Sequence, residues 1–128
     1  MNHPLITRLN DELGWPLLAD EEALTAFTER PGWHAVFVPG DPARNLESAD
    51  VAIILPELRM AFQRKFDCAI AGNEIETRLR EDTGVLKTPS IIFFRSGAFQ
   101  VGIPKVRDWD EYMARITHIL AQPCEAAE

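Results

Sequence analysis

Gly84-Val85-Leu86-Lys87-Thr88-Pro89-Ser90-Ile91-Ile92-Phe93-Phe94-Arg95-Ser96-Gly97 is the stretch whose reading decides the fold. Gly84 follows a helically periodic segment and suits a left-handed stop. Pro89 interrupts the chain just before Ser90 to Phe94, a run rich in strand formers. Arg95-Ser96-Gly97 is a glycine-bearing three-residue connection, and Ala98 to Ile103 is a second such run, so the pair is expected to form a β-hairpin.

Working outward toward the N-terminus, Asn73 with Glu76 makes a loose capping box before Ile75 and Leu79, which predicts a helix ending near Gly84. Phe66 to Ala71 alternates and stops at Gly72, as a short strand does. Ala49 to Phe66 is long and mostly apolar, interrupted only by Pro56, and reads as a helix with a proline kink. Trp33 to Val38 is a strand closed by Pro39-Gly40, with turn chemistry from Asp41 to Glu47. Asp20 caps a helix carrying Ala23, Leu24 and Phe27, ended by Pro31-Gly32. Trp15 to Ala19 is a short strand, and Leu5, Ile6, Leu9 and Leu13 space an N-terminal helix stopped at Gly14. On the other side, Asp108 and Glu111 open a helix whose Trp109, Tyr112, Met113, Ile116, Ile119 and Leu120 keep one face apolar.

β-α-β units impose parallel pairing, a hairpin adds antiparallel pairing, and right-handed crossovers put helices on both faces of a mixed sheet. With 128 residues, 46% of them hydrophobic, one domain is expected over residues 1–128. Its core is expected over about 15–121, with 122–128 a disordered tail.

Thirteen basic and twenty acidic side chains leave a charge of −7, the wrong sign for neutralising phosphates, so nucleic acid is not an expected partner. A basic segment of another protein fits better. Met1 to Arg8 has no basic region followed by an apolar run, and Val51 to Leu55 is about a quarter of a membrane span. The expected location is the cytoplasm, without membrane insertion. Cys68 and Cys124 cannot build a disulfide framework or a four-ligand zinc site. Cys68 is expected to be a small buried hydrophobe and Cys124 an incidental tail thiol.

The element succession, carried above all by residues 84–97, resembles the α/β thioredoxin fold from about Asp20 to Ala121, with an extra N-terminal helix. The resemblance implies a cis Thr88–Pro89 bond, which only proline makes cheap. It also implies a Cys-x-x-Cys at the start of the proline-containing helix. With Pro56 as the counterpart proline, Ser48-Ala49-Asp50-Val51 occupies those four positions, so Ser48 and Val51 stand where the redox cysteines would be. Neither a hydroxyl nor an isopropyl group replaces a thiolate in disulfide exchange. The expectation is a protein that is not an enzyme; the alternative is a thiol-disulfide oxidoreductase or isomerase using Cys68 or a borrowed thiol.

Among thioredoxin-like proteins the chain resembles the HyaE/HupG family of hydrogenase accessory proteins. Pro39-Gly40-Asp41-Pro42 and Ala52-Ile53-Ile54-Leu55-Pro56-Glu57-Leu58 carry that likeness, together with the layout. It implies a chaperone for NiFe uptake hydrogenase maturation, whose partner is the hydrogenase small subunit precursor and its twin-arginine signal peptide. A thioredoxin-like subunit inside a larger complex is a third reading.

Asp41, Glu47, Asp50 and Glu57 cluster around the lost redox motif, where they serve either as a solvated face or as an acidic patch for a basic peptide. Thr88 and Pro89 are either architectural or, by the fold resemblance, offer backbone amides to an extended peptide. Trp33, Phe37, Phe93, Phe94 and Trp109 are expected in the core, with Trp15 undecided. His3, His34 and His118 lie apart and show no metal-ligand spacing, a phosphate-binding glycine loop is absent, and no cofactor is expected.

Overall fold

The computed structural model describes residues 4–41, 43–44 and 47–122. His3, Pro42, Cys124 and the tail from 123 onward lie outside the described residues. Helix α1 spans Pro4–Asp11 and buries Ile6 and Leu9; Gly14 turns the chain at φ +72°, and Trp15 then packs into the core at 6% exposure. Strand β1 is only Leu17–Leu18, shorter than the expected run from Trp15 to Ala19. Helix α2, Glu21–Thr28, starts at Asp20, whose side chain accepts from the Ala23 amide at 2.8 Å. Strand β2, Trp33–Val38, is buried along its whole length.

Helix α3 spans Glu47–Ala61 and runs through Pro56, starting earlier and ending sooner than the periodicity suggests. Gln63 and Arg64 both adopt positive φ, 56° and 60°, which no helix permits. They turn the chain so that Phe66 enters strand β3, Phe66–Ala71, while Arg59 Nε donates to the Phe66 carbonyl at 3.0 Å and holds the two elements together. Helix α4 spans Asn73–Thr83 and ends on left-handed Gly84. Asn73 is not its cap: Gly72 occupies the cap position without a side-chain bond. A Cβ on Gly72 would lie 3.0 Å from the Leu18 carbonyl, to which the Gly72 amide itself donates at 2.9 Å. Close approach to β1 therefore selects glycine there.

Strands β4, Ser90–Arg95, and β5, Ala98–Pro104, form the hairpin. Its connection is two residues rather than three: Ser96 and Gly97 both have positive φ, 49° and 89°, as tight hairpin turns matched to strand twist require. Helix α5 spans Trp109–Leu120. Trp109 is 43% exposed, contrary to its expected place in the core: it stands at the first position of the helix, where the apolar face begins. Tyr112, one turn on, is fully buried instead, its hydroxyl accepting from the Arg107 amide and donating to the Lys105 carbonyl.

The sheet order is β1-β3-β2-β4-β5, parallel at β1/β3 and β2/β3 and antiparallel at β2/β4 and β4/β5. One face carries Phe37, Cys68, Ile70, Ile91 and Phe93 against α1, α3 and α5. The other carries Val36, Val38, Ala69, Ile92 and Phe94 against Phe27 of α2 and Ile75 and Leu79 of α4. The period-two alternation of these strands thus feeds both layers. Among the described residues no helix is long and apolar enough to cross a membrane.

Candidate functional site

Ser48 and Val51, the expected counterparts of the redox pair, are both fully buried in the first turns of α3. The Ser48 hydroxyl donates a short hydrogen bond to the Pro39 carbonyl, which fastens the start of α3 to the end of β2. Val51 faces the core with Leu55 and Leu58. Neither side chain presents a group to a ligand. Cys68 is also enclosed, 4% exposed on the middle strand β3. Burial pushes its thiol well above the ordinary range, and the nearby Arg59 guanidinium only partly offsets this. A protonated, enclosed thiol is a poor nucleophile.

The four candidate carboxylates separate. Asp41 is exposed; it accepts from the Ala43 amide at 3.0 Å and sits 3.8 Å from Arg44 Nε. Glu47 is half-buried and accepts from the Val106 amide at 3.1 Å, so it ties α3 to the connection between β5 and α5. Asp50 and Glu57 are exposed, seven residues apart on α3, and therefore on one helix face. No ion pair closes on either among the described residues. Ile53, 50% exposed, and Met60, 58% exposed, fall on the same line. The outer ridge of α3 thus alternates Asp50, Ile53, Glu57 and Met60.

The Thr88–Pro89 bond is cis, with Pro89 buried and its carbonyl accepting from the Lys105 amide at 2.6 Å. Beside it lies a cleft of about 830 Å³ lined by Gly40, Asp41 and Arg44 after β2, Glu76, Thr77 and Arg80 of α4, the loop Leu86-Lys87-Thr88, and Lys105. Asp41 and Thr88 therefore meet in one cavity, apart from the ridge residues Asp50 and Glu57. Arg80 donates to the Leu86 carbonyl and holds the loop against α4. Burial raises the Glu76 carboxyl above its usual range, opposed by the Arg80 guanidinium and the Gly40 amide. Four basic groups line a cleft whose neighbourhood reads as acidic in the sequence. Lys87, adjacent to Thr88, was open to notice; Arg44, Arg80 and Lys105 converge from separate segments and carry no local signal.

Of the histidines, His34 is buried with Nε2 2.8 Å from the Arg30 carbonyl and its ring against Phe27, while His118 is exposed near Gln122. No group of three or more His, Cys, Asp or Glu side chains that could hold a metal ion occurs among the described residues.

The sheet order, the helical layers and the proline loop define a thioredoxin-like protein. A solved mutant thioredoxin from Halobacterium salinarum NRC-1 superposes with a TM-score of 0.67 at 15% identity, covering 85% of this chain and 93% of that one. Likeness at that identity speaks for the fold alone. The model of the family described as hydrogenase-1 expression protein HyaE matches residues 5–112, and the chain belongs to that family. It is 62% identical over 119 residues to the hydrogenase expression/formation protein HupG of Rhodobacter capsulatus, covering 93% of this chain and 86% of that protein. A crystal structure of the putative hydrogenase expression/formation protein hupG from Rhodopseudomonas palustris CGA009 is 31% identical, with a TM-score of 0.55 over 84% of this chain and 99% of that one.

Proposed function

We propose that this protein is a non-catalytic accessory chaperone of hydrogenase maturation, which holds the twin-arginine signal peptide of a NiFe uptake hydrogenase small subunit precursor in the cytoplasm before export. Family membership supports the hydrogenase context. The observation that carries the peptide reading is the ridge of α3, where the exposed carboxylates of Asp50 and Glu57 alternate with exposed Ile53 and Met60. A signal peptide sets basic charge next to an apolar run, so its arginines meet the carboxylates while its apolar side chains cover Ile53 and Met60. Glu47 fixes the start of the ridge through the Val106 amide, whereas Asp41 and the Thr88–Pro89 loop lie apart in the cleft.

Exposed charge pairs contribute about 0.2–1 kcal/mol each, so they govern selectivity and encounter more than affinity. Calorimetric titration with a synthetic peptide bearing two adjacent arginines and an apolar run tests the reading. The D50K/E57K variant is expected to bind about tenfold or more weakly, on the order of 1.4 kcal/mol, with unchanged thermal stability. An affinity equal to that of the parent protein excludes the ridge as the binding surface.

A further inference from the structure

The chain carries seven more acidic than basic side chains, yet the cleft beside Thr88 gathers Arg44, Arg80, Lys87 and Lys105 against only Asp41 and Glu76. Its sign is opposite to that of the molecule. Arg44 faces Asp41 at 3.8 Å, and Arg80 is turned onto the Leu86 carbonyl. Lys87 and Lys105, which line the cleft with Thr88, remain with no ion pair among the described residues. The Lys105 amide is anchored on the Pro89 carbonyl, so the backbone carrying the second ammonium has a set position relative to the first.

We propose that this cleft receives an acidic segment of a partner protein, whose separated carboxylates pair with Lys87 and Lys105. Three features favour a peptide over a free anion. The cavity, about 830 Å³, is far larger than an inorganic anion needs and matches ligand-sized sites of about 300–1,000 Å³. Leu86, 56% exposed at its edge, offers apolar contact that an anion does not use. Asp41 and Glu76 inside the cleft repel compact negative charge and tolerate charge spaced along a chain. The site goes beyond signal-peptide capture, which uses the oppositely charged ridge of α3, and it gives the protein two docking surfaces of complementary sign.

The test is a nuclear magnetic resonance titration of the isotope-labelled full chain with a capped hexapeptide, Glu-Leu-Gly-Glu-Leu-Gly. Saturable shifts are expected at the amides of Gly40, Thr88 and Lys105. They are expected to weaken tenfold or more in K87E/K105E and to persist in K87R/K105R, with both variants keeping the parent spectrum elsewhere. The D50K/E57K variant is expected to bind this probe like the parent even where it loses the signal peptide, which separates the two sites. The proposal is overturned by an absence of saturable shifts, by equal binding of the peptide with Gln in place of Glu, by full binding to K87E/K105E, or by loss of the probe in D50K/E57K. Inorganic phosphate producing the same shifts at lower concentration likewise replaces the peptide reading with a free-anion site.

Discussion

Ser48 fastens the start of α3 to the end of β2. Its hydroxyl satisfies the Pro39 carbonyl in a fully buried setting, so Ser48→Ala leaves that acceptor without a partner, at about 1–3 kcal/mol. Urea denaturation of S48A is expected to show the loss; an unchanged midpoint would mean that water reaches the carbonyl. Cys68 gives a pH signature. Its folded thiol is held above the ordinary value of 9.0, so at alkaline pH the unfolded chain releases a proton that the folded chain keeps. The contribution of Cys68 is therefore constant below about pH 9 and lowers stability above it. Tyr112, raised chiefly by burial, acts in the same direction at higher pH. Cys68→Ala is expected to flatten part of that alkaline decline, measured by denaturant titration at pH 7 and pH 10, and rapid reaction of Cys68 with a thiol reagent at neutral pH in a Cys124→Ser chain would contradict the enclosure.

Elements show where sequence reading works and where it stops. Gly14, Asp20 and Gly84 are legible because a left-handed stop or a cap is a property of one residue and its neighbours within a few positions. The end of α3 is not legible. Phe66 suits a helix and a strand alike, and its place in β3 follows from pairing with Trp33 on β2. Glycine at 102 carries another nonlocal message. A Cβ there would collide with Val85 Cγ2 and lie 3.2 Å from Val85 Cβ, so the whole Val85 side chain, and with it the loop leading to Thr88, has to shift. Gly102→Ala is expected to cost about 1–3 kcal/mol through overpacking, and V85A/G102A to recover much of it. Strict additivity of the two substitutions in a double-mutant cycle would show that the contact is not shared.

At the scale of the whole molecule, charge is distributed unevenly in a way that composition conceals. The net value of −7 argues against phosphate-dominated partners, but it does not disclose that acidic and basic groups sort onto an α3 ridge and a cleft. That sorting is set by the order of strands, which brings residues 40–41 and 44, 76–80, 86–88 and 105 to one end of the sheet. Signal-peptide affinity is expected to fall several-fold between low salt and about 0.5 M salt, where screening is nearly complete over the distances involved. Indifference to ionic strength would remove the electrostatic part of the proposal.

The β5–α5 connection is clamped twice, by Glu47 on the Val106 amide and by the Lys105 amide on the Pro89 carbonyl. A guest arriving there finds a jaw already set. Little motional freedom is left to surrender on contact, so tightening of the complex over evolutionary or engineered change should be written in how slowly the guest departs, not in how fast it arrives.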